Sequence, residues 1–97
     1  MTHTTKHTPG PWVLTECSLD KRVAVTHGST RIVSFGPRAN WDDIDEANAH
    51  IIAAAPAMYH ELETVRAYLL ELYDQGNSEA GQYAASIDTT LTQAEGK

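Results

Sequence analysis

Five histidines and one cysteine have the widest chemical range in this chain: His3, His7, His27, His50, His60 and Cys17. Imidazole and thiolate groups are common zinc ligands, but zinc sites usually bring them in close pairs such as CxxC or HExxH. Only His3 and His7 have a helical spacing, and they lie in a threonine-rich segment without a helix signal. We therefore expect these histidines in the tail or on the surface, with no metal site and no cofactor.

The sequence also lacks the patterns of common catalytic sites. Catalysis by Cys17 would need a neighbouring base and an electropositive pocket to generate the thiolate, and its position in a short strand predicts a small buried residue instead. The acidic residues at 42, 43, 45 and 46 have no glycine-centred calcium loop, and no glycine-rich phosphate loop exists. The sequence therefore predicts that this protein is not an enzyme.

The residues that remain are suited to binding: Trp12, Arg22, Arg31, Arg38, Trp41 and Asn48. Tryptophan often anchors protein interfaces, although small cores also use it. An arginine guanidinium can bind phosphate through two parallel hydrogen bonds. Asn48 interrupts an apolar helical stripe, where a buried amide needs hydrogen bonds and can fix the register of packed helices. We therefore take these six residues as candidates for binding, and for Asn48 we favour the structural role.

The front of the chain predicts a small sheet that would position several of these residues. Residues 1–8 are expected to be a flexible polar tail, and residues 12–35 a three-stranded antiparallel β-meander. The segments 12–17, 22–26 and 30–35 are rich in β-branched residues, which favour strands. His27-Gly28 suits the tight turn between the second and third strands.

That turn determines which residues share a face of the sheet. It would pair Val23 with Ile32, so that Val23, Val25 and Ile32 lie on one face and Val33 with Phe35 on the other. The predicted sheet is therefore apolar on both faces. We expect helices to cover one face, and the tail or a second chain to cover the other.

The back of the chain, residues 43–93, predicts helices. Residues four and three apart form one stripe, because 3.6 residues complete a helical turn: Ile44, Asn48, Ile51, Ala55, Met58, Leu62, Val65, Leu69 and Leu72. Proline disfavours a helical residue before it and suits the start of a new helix. We therefore expect the long helix to be interrupted at Pro56; the unbroken register of the stripe favours the alternative, one kinked helix.

A C-terminal helix over about residues 79–93 is expected to lie antiparallel to the long helix. The predicted fold is α+β: a β-meander followed by two or three helices, in one domain over residues 1–97. Ile51, Leu62, Leu69, Ile87 and Leu91 are expected to be buried. The long helix has further apolar residues beyond its stripe, which favours a homodimer or higher oligomer with Asn48 in the seam. A monomer in which the helices close on themselves is the alternative.

Composition excludes several functional classes. A net charge of −6 argues against general nucleic-acid binding, which needs a basic surface. Residues 1–41 carry five Lys and Arg against two acids, whereas residues 42–97 carry two against eleven, so the two halves could pair electrostatically. No apolar run approaches the roughly 20 residues of a membrane span, so no membrane association is expected. With one cysteine and no apolar signal segment, we predict a cytoplasmic protein.

Two segments resemble a pattern of small proteins encoded by tailed phages and prophages. Residues 7–12 read HTPGPW and residues 46–56 read EANAHIIAAAP. The phage proteins have a TPGPW start followed by EANARLIAAAPELLEAL. Here His50 stands where arginine is common, and Ala57-Met58-Tyr59 replaces Glu-Leu-Leu. The resemblance implies an accessory phage protein that acts in the host cytoplasm.

By analogy with phage proteins of this size, we expect a non-catalytic binding protein that inhibits or sequesters a host component, such as a defence complex. One alternative is a sponge that binds a small nucleotide ligand between protomers, with Arg22, Arg31 or Arg38 on its phosphate. A second alternative is a structural, oligomeric phage protein without a ligand. The predicted partner is therefore a host protein or a small nucleotide.

Overall fold

The computed structural model describes residues 7–96, which form three strands, one short 3-10 helix and two α-helices. The elements in chain order are β1 (Val13–Glu16), β2 (Arg22–His27), β3 (Thr30–Pro37), the 3-10 helix (Arg38–Asn40), α1 (Asp43–Asp74) and α2 (Ser78–Ala94). The strands form one antiparallel sheet in the order β1-β2-β3. The predicted α+β fold, a β-meander followed by helices, is confirmed. Most of the predicted tail, residues 1–6, lies outside the described residues.

The chain divides into two compact units whose boundary falls inside α1. The sheet unit is His7–Ala57, and the hairpin unit comprises residues 58–96 of the described chain. The prediction of one domain over residues 1–97 stays a prediction.

In the sheet unit, the turn between β2 and β3 differs from the predicted one. His27 pairs with Thr30, so Gly28-Ser29 forms the turn rather than His27-Gly28. Gly28 has φ +59°, a conformation that glycine adopts without a steric penalty. Further along, the register shifts between Val25 and Thr26, so Ile32 is an extra residue in β3. Such a β-bulge reverses the faces of the residues that follow it in β3. A second register shift, between Arg22 and Ala24, changes the pairing again, so that Arg22 lies opposite Pro37.

The bulge makes the two faces of the sheet chemically different. Val25 is flanked by Leu14 of β1 and Val33 of β3, and both Val23 and Val25 are buried. On the opposite face, Ala24 is flanked by Thr15 and Ser34. The prediction of a sheet that is apolar on both faces is therefore wrong. Without the bulge, Val33 would have shared a face with Ala24, as the predicted register required.

Helix α1 begins with a reciprocal cap and continues through Pro56. The Asp45 N–H donates to the Asp42 carboxylate at 2.8 Å, and the Asp42 N–H donates to the Asp45 carboxylate at 3.2 Å. The predicted interruption at Pro56 is wrong, because one helix spans residues 43–74. Proline lacks an N–H, so it removes one helical hydrogen bond, and the intact turns on both sides maintain the helix.

The first part of α1 presents a different face to the core than the predicted stripe. Ala49 is buried, whereas Ile44, Asn48 and Ile51 are exposed. The buried residue, Ala49, is therefore one position after Asn48, the residue of the predicted stripe. The Asn48 amide is exposed rather than buried. The predicted role of Asn48 in fixing the register of packed helices required a buried amide.

The hairpin unit pairs the second part of α1 with α2 in antiparallel orientation, as predicted. Tyr59 contacts Glu95, the C-cap of α2, while Arg66 contacts Asp88 and Tyr73 contacts Gly81. The contacts therefore recur every seven residues along both segments. Asn77 caps α2 by accepting the Ala80 N–H at 3.0 Å. Leu91 is buried as predicted, while Leu62, Leu69 and Ile87 are half-buried.

Candidate functional site

The sheet unit contains two groups of polar and aromatic side chains that could bind a ligand or partner. The first group lines a cavity of about 180 Å³ on the face of the sheet that carries Thr15, Ala24 and Ser34, here called the sheet-face cavity. Its lining comes from all three strands and the β1–β2 turn: Thr15, Glu16, Cys17, Asp20, Arg22, Val23, Ala24, Thr26, Arg31 and Ser34.

The strand register explains why these side chains surround one cavity. Thr15, Ala24 and Ser34 lie side by side across the three strands. Ala24 has the smallest side chain of this row, so it leaves space between the hydroxyl groups on either side. In the next row, Thr26 of β2 lies beside Arg31 of β3. Arg22 lies two residues from Ala24 in the other direction along β2 and therefore on the same face.

Charges of both signs occur at the cavity. The Asp20 carboxylate accepts the Arg22 N–H at 3.0 Å, and it lies 3.9 Å from the Arg22 guanidinium. The backbone hydrogen bond from Arg22 is the main cause that lowers the pKa of Asp20 below its ordinary value of 3.8. Arg31 makes no ion pair with any residue in the described part of the chain.

The second group, here called the corner, consists of Phe35, Arg38, Trp41 and Glu46, where β3 leads into α1. The Trp41 ring meets Phe35 edge to face, with centroids 5.5 Å apart. The indole N–H of Trp41 donates to the Gly36 carbonyl at 3.2 Å. The Arg38 guanidinium lies 5.3 Å from the centroid of the Trp41 ring and 3.7 Å from the Glu46 carboxylate. The corner is thus a charged group stacked on a fixed aromatic ring.

Trp12 belongs to neither group, because it lies in a loop that precedes β1. Its indole N–H donates to the Thr8 carbonyl at 3.0 Å, which closes a short turn, and the His7 ring meets it edge to face. Gly10 of the same loop packs on Pro56: a Cβ added at position 10 would lie 3.1 Å from the Pro56 Cβ. The residues that resemble the phage motif at 8–12 therefore contact the end of the second motif.

The structure thus sorts the predicted binding residues into separate places. It brings Arg22 and Arg31 to one cavity, and Arg38 and Trp41 to the corner, whereas Trp12 lies in the loop and Asn48 is exposed on α1. Cys17 is exposed, so its predicted burial is wrong. Sequence reasoning missed the hydroxyl residues Thr15, Thr26 and Ser34; the polar alternation of β1 and β2 was the signal that could have found the first two.

Two further findings concern metals and membranes. Within residues 7–96, no cluster of three or more His, Cys, Asp or Glu side chains could hold a metal ion. His50 instead lies 3.3 Å from the Glu46 carboxylate, one helical turn away. None of the helices in this range is long and apolar enough to cross a membrane.

Comparison with known proteins places the sequence in a phage family. A family model described as Salmonella phage P22 protein Y8K6 matches residues 1–97. This match supports the expectation of a small phage protein. No curated protein and no solved structure matched the chain.

Proposed function

The chain belongs to the family of Salmonella phage P22 protein Y8K6, and we propose that it is a non-catalytic binding protein that engages a host protein in the bacterial cytoplasm. The observation that carries this proposal is the corner, where Arg38 stacks on Trp41. Arginine and tryptophan are the residue types that contribute most often to binding energy at protein interfaces. We propose that binding inhibits or sequesters the host protein, for example a component of a defence complex.

The geometry of the corner favours binding because its aromatic ring is already held in place. Trp41 is fixed by its hydrogen bond to Gly36 and by the edge of Phe35. A partner that packs on this ring would therefore lose little binding free energy in ordering it. Immobilising a flexible side chain costs roughly 0.5–1.5 kcal/mol. Arg38 remains available to the partner, because its side chain is 47% exposed although it faces Glu46.

The experiment compares wild-type protein with Trp41→Ala and Arg38→Ala variants as baits in a host-cell lysate. Arg31→Ala is the matched control, because it removes an exposed arginine of the same unit outside the corner. We expect a host protein that wild type and Arg31→Ala capture and that the two corner variants lose. With the purified partner, Trp41→Ala should weaken binding by roughly 30-fold or more, which corresponds to about 2 kcal/mol.

Inhibition is tested separately, by measuring the activity of the captured partner with and without the wild-type protein. Equal capture by wild type and Trp41→Ala would contradict the corner as the binding surface. Capture of no host protein by any of these baits would contradict the function itself and favour the alternative of a structural phage protein.

A further inference from the structure

We propose that the sheet-face cavity is a binding subsite for a phosphoryl group. This inference concerns a different surface from the corner and does not depend on host-protein binding. It assigns a site and a ligand class to the hydrogen-bond donors carried by residues that line the cavity: Arg22 and Arg31 with their guanidinium groups, and Thr15, Thr26 and Ser34 with their hydroxyl groups.

The donor chemistry matches a tetrahedral anion. Each guanidinium offers a planar pair of N–H groups that can bind two phosphate oxygens at once. Hydroxyl groups can donate to the remaining oxygens, because the hydroxyl hydrogen rotates to suit its acceptor. Thr15 now donates to the Ala24 carbonyl at 3.4 Å, a long contact that an anion could replace. Ala24 leaves room for the anion at the base of the cavity, because its methyl group fills little of the space between Thr15 and Ser34.

The carboxylates at the cavity leave at least one arginine available. Asp20 is already engaged by the Arg22 backbone N–H, and its contact with the Arg22 guanidinium is long at 3.9 Å. Glu16 also lines the cavity, although its partner across the ladder is Val23, on the opposite face of the sheet. Arg31 has no ion-pair partner among residues 7–96. We therefore assign the main anion contact to Arg31.

The volume restricts what can enter. The cavity has a volume of about 180 Å³. Sites for entire drug-sized ligands are larger, about 300–1,000 Å³. The cavity therefore suits one phosphoryl group, and the rest of a phosphorylated ligand would lie outside it.

The test is an NMR titration of the full chain with inorganic phosphate, using sodium chloride of equal ionic strength as the reference. We expect saturable shifts of the amide signals around Ala24, Thr26, Arg31 and Ser34. Arg31→Gln should weaken phosphate binding at least tenfold, and Ala24→Leu should abolish it while both arginines remain. Arg38→Gln, which removes an arginine outside the cavity, should bind phosphate like wild type.

Ala24→Leu distinguishes a shaped site from general attraction to positive charge, and its amide spectrum shows whether the variant is folded. If it does not fold, Ser34→Val tests the same point through a lost hydroxyl group. Shifts that do not saturate, or equal binding by wild type and Arg31→Gln, would overturn the proposal. Parallel titrations with adenosine monophosphate and adenosine identify the source of the phosphoryl group. If adenosine monophosphate binds more tightly than inorganic phosphate, the ligand is an organic phosphate; if the two bind equally, it is free phosphate. Binding of adenosine without binding of either phosphate refutes an anion site.

Discussion

Each arginine of the sheet unit has a different chemical environment. Arg22 lies beside Asp20, Arg31 lines the sheet-face cavity without an ion-pair partner in the described chain, and Arg38 stacks on Trp41. The sequence could identify these residues as candidates for binding because their chemistry is independent of the fold. It could not sort them, because their grouping depends on a strand register that shifts twice between β2 and β3.

The lowered pKa of Asp20 predicts how the free energy of unfolding depends on pH. Its pKa is lowered in the folded protein, so the folded state favours the carboxylate. The stability that Asp20 contributes is present above its ordinary pKa of 3.8 and is lost as the pH falls through the lower folded value. We expect Asp20→Ala to be less stable than wild type near neutral pH, and this difference to vanish in strong acid. Urea unfolding across the pH range measures it, and an Asp20 carboxyl signal that titrates at or above 3.8 would contradict it.

Gly81 provides a second test, because the ring of Tyr73 covers it. A Cβ at position 81 would lie 2.9 Å from the Tyr73 ring, closer than real contacts allow. Gly81→Ala should therefore destabilise the protein, since overpacking costs about 1–3 kcal/mol and outweighs the gain of roughly 1 kcal/mol in helix propensity.

The control for this prediction is the same change in a Tyr73→Ala background, where the ring is absent. There we expect Gly81→Ala to stabilise the protein by roughly 1 kcal/mol, because only helix propensity remains. Urea unfolding of the four proteins measures both effects. The same sign in both backgrounds would show that the ring does not constrain position 81.

For the secondary-structure elements, the sequence predicted the type and order of the strands and helices. It did not predict the residues of the turn between β2 and β3 or the continuity of α1 through Pro56. β-branched runs and the helical stripe are strong local signals, and they placed the meander and both helices. The choice between His27-Gly28 and Gly28-Ser29 as turn residues is a difference of one position, and both turns contain the required glycine. Pro56 disfavours a helix locally, but the helix-forming residues on both sides outweigh that cost.

The corrected helix face can be tested by comparing two large-to-small changes. Leu91 of α2 is 0% exposed, whereas Ile51 of α1 is 61% exposed. We expect Leu91→Ala to cost about 2–5 kcal/mol through lost burial and an unfilled cavity. Ile51→Ala should change the free energy of unfolding by less than about 0.5 kcal/mol, as surface substitutions usually do. A larger loss of unfolding free energy for Ile51→Ala, measured by urea unfolding, would indicate that Ile51 is buried as the sequence predicted.

At the scale of the whole molecule, the hairpin unit exposes apolar side chains along α1. Met58, Val65 and Tyr68 are 46%, 41% and 60% exposed, at spacings of seven and three residues. This spacing is that of a coiled-coil seam, and a second copy of the chain would supply the matching seam. We therefore expect a homodimer, although Asn48, which the sequence placed in this role, lies outside the hairpin unit.

Light scattering at micromolar concentration tests this expectation. A homodimer has about twice the mass of one chain, which is 10.6 kDa. Val65→Asp should reduce the mass to that of a monomer while the circular dichroism of the helices remains, because an unpaired charge in an apolar interface is costly. Ser86→Asp, on an exposed position of α2, is the control and should leave the mass unchanged. A wild-type mass of one chain would contradict the dimer.

The position of the unit boundary has a consequence for the order of events on the ribosome. All residues of the sheet unit, including the loop at Gly10 and its contact Pro56, precede the hairpin unit along the chain. Residues between Ala57 and the end of α2 at Ala94 then take roughly 2–7 s to synthesise at about 5–20 residues per second. The second part of α1 has no α2 to pack against during that interval. The order of synthesis therefore places every residue of the sheet unit ahead of the hairpin unit, so the sheet unit leaves the ribosome first.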